Sequence, residues 1–186
     1  MPNAIELARR VADALEAANI PYAIGGALAY GYHGPPRATN DVDVNVFIEP
    51  RRLDELLDAL STVGPIDREK AKDSAGRRED FSVWIEGMRV DLFLPSVPVL
   101  TAAESRVIDA EMEGRPVRIL SAEDLALFKL LYYRPKDLMD LERLVLFMEQ
   151  RLDTEYVRRW LLEMVGEDDH RLKTWDDFVE RAHRAG

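Results

Sequence analysis

The stretch AIGGALAYGYHGPPRATNDVDVNVF, Ala23 to Phe47, decides how the chain is read. Its last part alternates: Asp41, Asp43 and Asn45 fall on one side of an extended strand, and Val42, Val44 and Val46 on the other. Valines at that spacing hold a strand to a core, so both aspartates project together from the opposite face. Like charges that close repel unless a cation lies between them, and carboxylate oxygens suit Mg²⁺ or Mn²⁺. Standing alone, the Asp-x-Asp pair reads equally well as the solvent face of a strand.

Two further features bear on that choice. Asp91 lies in MRVDLFLP, another acid inside an apolar strand. Three acids on neighbouring strands can hold two divalent ions, which clamp the attacking and leaving oxygens of a phosphoryl displacement. Upstream, Gly25-Gly26 stands between a short strand and a short helix. Glycines there let a phosphate approach the backbone, and a helix N-terminus offers free N–H groups. A lone glycine pair is more often a turn.

Composition narrows the classes. The chain has 186 residues, which suits one compact domain or a core with a small added lobe. Cysteine is absent, which excludes disulfides and thiolate metal sites. The formal net charge of -10 argues against a surface that coats nucleic acid but permits a local cationic pocket. No apolar run is long enough to cross a bilayer, and acidic residues interrupt the first twenty positions where a signal peptide would need an apolar core. A cytoplasmic protein without membrane association is expected.

Periodicity and punctuation predict the elements. A helix is expected over 4–18 (Ile5, Ala8, Val11, Ala12, Leu15), a strand over 22–24, a short helix ending at Gly34-Pro35-Pro36, a strand over 41–48, and a helix from Pro50 to Gly64. Residues 65–79 read as a loop. Hairpins are expected around Glu86-Gly87 and Glu113-Gly114, with a short helix in TAAESR between them. From Ser121 on the chain reads as helical, with a break at Pro135 and helices over 136–151, 154–165 and 175–183. This predicts an α+β fold: a mixed β-sheet core flanked by helices over residues 1–120, and a C-terminal helical lobe over 121–186.

At this point the sequence resembles a family. GGALAYGYHGPPRATNDVDV, Gly25 to Val44, is similar to the signature of the DNA polymerase β-like nucleotidyltransferase superfamily: a Gly-Gly turn, a short helix, an Asp-x-Asp strand and a third acid on a later strand. The form resembles a bacterial branch that includes AbiEii-type toxins and small nucleotidyltransferases. KLLYYRPKDLMD, Lys129 to Asp140, is similar to the helical motif of that branch.

The resemblance implies a nucleotidyltransferase-type fold and a metal-dependent enzyme that moves an NMP from an NTP, such as ATP, to a hydroxyl, releasing pyrophosphate. Asp41, Asp43 and Asp91 match the Mg²⁺- or Mn²⁺-binding catalytic triad. Gly25 and Gly26 match the phosphate-contacting turn, and Lys129 a lysine near the nucleotide phosphates. Arg134, Asp137 and Asp140 belong to the same helical motif. Arg37 either serves phosphate or acceptor, or pairs with a nearby acid. Thr39 is placed with the nucleotide-binding loop, chiefly as a residue that shapes it. Lys129 stands in the apolar stretch LALFKLLYY and needs an anionic partner or an exit to water. The implied acceptor is an RNA 3′ end such as that of tRNA, a protein, or a small molecule. The resemblance also admits a toxin–antitoxin component with a cognate antitoxin, or a non-catalytic nucleotide-binding or regulatory protein on the same fold. His33, His170 and His183 lack metal-ligand spacing, and Trp84, Trp160 and Trp175 read as packing residues.

Overall fold

The structure is a computed structural model that describes residues 3–77, 80–95 and 98–185. The chain divides into two compact units, Met1–Leu28 with Arg37–Leu120, and Ala29–Pro36 with Ser121–Gly186.

The first unit is built on a six-stranded mixed sheet. Its elements are α1 (Ala4–Ala17), β1 (Tyr22–Ile24), the start of α2 (Gly26–His33), β2 (Asp41–Val46), α3 (Leu53–Val63) after a 3-10 turn, α4 (Arg68–Arg77), β3 (Asp80–Ile85), β4 (Met88–Phe93), α5 (Pro98–Glu104), β5 (Ile108–Met112) and β6 (Arg115–Ile119). The strand order is β3-β4-β2-β1-β6-β5. β2 and β4 run parallel, as do β1 and β6, and the remaining pairs are antiparallel.

Helix α1 starts where Asn3 accepts a hydrogen bond from the Glu6 amide at 2.8 Å. It buries Leu7, Ala8, Val11, Ala12 and Leu15 and packs on β1, β2, β6 and α3. Ile5, expected on that face, is exposed. The helix ends before Asn19, whose φ of 52° is left-handed. Across the sheet, Val42, Val90 and Val83 form one registered row, and Val44, Leu92 and Phe81 the next, all buried. These rows and α1 and α3 make the core of the unit.

Both hairpins turn on Glu-Gly with positive φ at both positions: 53° and 83° at Glu86-Gly87, 49° and 78° at Glu113-Gly114. That is the pattern of a type I′ turn, whose twist matches the strands it joins. Two consecutive arginines of α1 hold the two turns. Arg9 donates to Glu113 at 2.9 Å, and Arg10 donates to both carboxylate oxygens of Glu86 at 2.9 and 2.8 Å. The hydrogen bond from Arg10 keeps the Glu86 carboxyl below its ordinary range.

Some boundaries differ from expectation. Helix α4 forms within the stretch read as loop, of which residues 78 and 79 lie outside the described ones. Its sequence is too polar to show an apolar period, but Ala71 is buried and Arg68 and Lys72 pair with Asp54 and Asp58 of α3. Strand β2 stops at Val46, and α5 starts at Pro98, earlier than TAAESR suggested.

The second unit contains α6 (Ala122–Tyr132), α7 (Pro135–Met148), α8 (Thr154–Val165) and α9 (His170–Ala185). α6 packs on α7 and α8, and α9 packs on the same two, which closes a ring of helices. Ser121 caps α6: its Oγ accepts from the Asp124 amide at 3.1 Å and donates to the Asp124 carboxylate at 2.7 Å. Tyr156 donates to the other Asp124 oxygen at 2.9 Å, so this buried acid is satisfied within its own helices. α9 begins five residues earlier than its apolar pattern, at His170.

Leu92, fully buried between Val44 and Phe81, reports on the sheet core. Leu92→Ala is expected to cost about 2–5 kcal/mol, read as a lower midpoint in urea unfolding with an unchanged slope.

Candidate active site

The parallel pairing of β2 and β4 builds the site. In its register Asp43 lies opposite Asp91, and Asp41 opposite Arg89. Across the antiparallel β3–β4 pair, Ser82 lies opposite Asp91 and Trp84 opposite Arg89. Since side chains alternate, Asp41, Asp43, Asp91, Arg89, Ser82 and Trp84 share the face opposite the valine core.

Asp41 and Asp91 are held by named partners. Thr39 donates its hydroxyl to Asp41, and Ser82 donates to Asp91. Arg89 bridges the two acids through a single nitrogen: Nη2 lies 3.1 Å from Asp41 Oδ2 and 2.8 Å from Asp91 Oδ2. Trp84, read from sequence as a packing residue, is 59% exposed, because it occupies an outward position of edge strand β3.

The glycine turn is fitted to Asp43. Gly25 donates its N–H to the Asp43 carbonyl at 2.8 Å, extending the sheet by one bond. Gly26 has a φ of +52°, and a Cβ built there would lie 1.7 Å from Asp43 Oδ2. Only glycine meets both demands. Arg37 is exposed in the following loop, 3.4 Å from the Ala38 carbonyl.

The donor set is three carboxylates on two adjacent strands, all hard oxygens, beside a glycine turn that packs against Asp43. In kind it fits Mg²⁺ or Mn²⁺. As the side chains stand, no group of three or more His, Cys, Asp or Glu among the described residues converges as a metal site. The Arg89 guanidinium lies between two of the three acids instead.

In the second unit Lys129 is buried, with Nζ 2.7 Å from Asp140 and 3.8 Å from Asp137. It also lies 5.4 Å from the Tyr30 ring centre. Asp137 accepts from the Arg134 side chain at 2.5 Å and from the Arg134 amide at 3.3 Å, which fastens the start of α7. The lysine in the apolar stretch thus has its anionic partners within its own helix pair.

A family model described as "Nucleotidyltransferase of unknown function (DUF6036)" matches residues 22–183. The chain belongs to this nucleotidyltransferase family. No curated protein matches it. Among solved structures, the solution structure of the antibiotic-resistance factor ANT(2'')-Ia is similar, with a TM-score of 0.62 and 17% identity, covering 98% of this chain and 97% of that one. A crystal structure of ANT(2'')-Ia in complex with adenylyl-2''-tobramycin gives 0.58 at 18% identity, covering 95% and 97%. A putative nucleotidyltransferase from H. pylori gives 0.54 at 17% identity, covering 96% and 92%. These likenesses show the fold. None of the described helices is long and apolar enough to cross a membrane.

Sequence reading of this nucleotidyltransferase named Asp41, Asp43, Asp91 and the glycine pair but missed Arg89 and Ser82. The signal was present: Arg89 is two residues before Asp91 and therefore on its face.

Two outcomes follow. Gly26→Ala is expected to displace Asp43 and to lower stability by at least about 1–2 kcal/mol from the left-handed backbone alone, measured by urea unfolding. Lys129→Met leaves Asp137 and Asp140 buried without their lysine and is expected to cost about 3–5 kcal/mol. Adding Asp140→Leu to Lys129→Met restores part of that loss if the lysine's role is structural. A stable Lys129→Met protein that loses NTP affinity would instead show a lysine reserved for phosphate.

Proposed function

We propose that this nucleotidyltransferase transfers a nucleoside monophosphate from an NTP to a hydroxyl of a small cationic acceptor, with Asp41, Asp43 and Asp91 as the carboxylates that hold Mg²⁺ or Mn²⁺. The observation that carries the reading is the β2–β4 register, with Asp43 beside Asp91 and Asp41 next along the same face. A bound divalent cation would supply positive charge against the phosphoryl oxygens and the leaving pyrophosphate.

The protein's own groups do the rest. The Gly25-Gly26 turn, free of side chains, admits the NTP phosphates against backbone N–H groups at the start of α2. Arg37 and Thr39, in the loop that precedes β2, flank that turn's partner strand and serve the nucleotide side of the site. The acceptor hydroxyl oxygen forms its bond to the α-phosphorus as the bond to pyrophosphate breaks, and Asp91 takes the hydroxyl proton. Ser82, hydrogen-bonded to Asp91, fixes that carboxylate for the task. Lys129, held by Asp140 inside the second unit, is given a structural role in this reading.

Two facts support a small cationic acceptor over a long polyanion. The net charge is -10, which disfavours nucleic acid as a track. The similar protein ANT(2'')-Ia, matched over nearly its whole length, is known as a complex with adenylyl-2''-tobramycin.

The test incubates the protein with Mg²⁺, each α-labelled NTP, and small-molecule, RNA and protein fractions of a cell extract. Label is expected in a small-molecule product, falling about 10²-fold or more in Asp43→Asn. Label appearing only in RNA or protein would overturn the acceptor class. No label in any fraction, or label unchanged in Asp43→Asn, would overturn the catalytic assignment.

A further inference from the structure

Arg89 stands in register with the carboxylates, and its geometry is specific. A single nitrogen, Nη2, contacts Asp41 Oδ2 at 3.1 Å and Asp91 Oδ2 at 2.8 Å, so one positive group spans two strands. The Arg89 side chain is 44% exposed, whereas those of Asp41 and Asp91 are 26% and 15% exposed. The acids are fixed by the sheet and by Thr39 and Ser82, while the arginine that joins them stands half in water at the end of a flexible stem.

Clustered carboxylates on adjacent strands need positive charge between them, and in this arrangement Arg89 supplies it. An ion pair that open to solvent is weak, because water and salt compete for both partners. A divalent ion brings twice the charge in a smaller volume and binds several oxygens at once. A divalent cation held by Asp41, Asp43 and Asp91 would draw on the two carboxylates that Arg89 contacts, so the two cations would compete for them.

We propose that Arg89 is a tethered counter-ion that holds Asp41 and Asp91 in the metal-free protein and must yield them before a divalent cation binds. The proposal rests on the metal-dependent reading of the site and deepens it. Metal affinity is then set by competition with a residue of the chain itself. Arg89 keeps the acids aligned without metal and raises the metal concentration at which the site fills.

The test is a titration of Mn²⁺ into the intact protein, read by loss of the free-ion electron paramagnetic resonance signal. Wild type, Arg89→Gln and Arg89→Lys are compared, with Asp43→Asn marking uptake at this site. Arg89→Gln is expected to bind Mn²⁺ about tenfold more tightly than wild type, with Arg89→Lys between them. In thermal melts without metal, Arg89→Gln is expected to unfold at a lower temperature than wild type, and Mn²⁺ is expected to raise its midpoint by more. Equal or weaker Mn²⁺ affinity in Arg89→Gln overturns the counter-ion role, and does so alone if wild type still transfers label from NTP. If neither protein takes up Mn²⁺ at Asp43 and no label moves, the metal-dependent reading fails and the Arg89 proposal with it.

Discussion

Everything at the candidate site depends on one register, the parallel pairing of β2 with β4. Side chains on a strand alternate with period two, so a slip of one residue would turn Asp91 into the core and Leu92 out of it. The buried rows Val42–Val90–Val83 and Val44–Leu92–Phe81 forbid that slip. The apolar face therefore does the chemical positioning: it fixes which acids meet. Gly26 completes the arrangement, since any side chain there would occupy the space of the Asp43 carboxylate.

The protein places three kinds of charge pairing in three settings. Arg9 and Arg10 reach from one helix to the glutamates of two hairpin turns, where exposure makes each pair weak but the geometry sets where α1 lies across the sheet. Lys129 and Asp140 form a buried pair, which specifies how α6 meets α7 and is costly to break from one side. Arg89 belongs to neither kind. It spans two partly buried carboxylates from a half-exposed position, where an ion pair is strong enough to order the acids and weak enough to be replaced.

The parts of the fold with strong local signals were legible in the sequence. Val42, Val44 and Val46 announced a strand, Glu86-Gly87 and Glu113-Gly114 announced two hairpins, and the break at Pro135 separated α6 from α7. Helix α4 was not legible, because it shows no apolar period of its own and is placed by contacts with its neighbours, Ala71 buried and Arg68 and Lys72 paired with Asp54 and Asp58 of the preceding helix. At the site, residue types exposed Asp41, Asp43, Asp91 and the glycines. Arg89 was hidden because its meaning is non-local: it requires knowing that β4 lies beside β2 in a register that sets Arg89 against Asp41. Trp84 misled for a related reason. An indole in an apolar run reads as core until the strand is known to lie at the sheet edge with that position facing out.

The face shared by Asp43 and Asp91 is the place where the proposed cation and nucleotide would meet. Crystals grown with Mn²⁺ and a non-hydrolysable NTP analogue, measured at the manganese absorption edge, test this directly. An anomalous peak in contact with the Asp43 and Asp91 carboxylates is expected, with Arg89 withdrawn from Asp41. A nucleotide bound elsewhere, or bound while Arg89 still bridges Asp41 and Asp91 and no peak lies at Asp43, would contradict it.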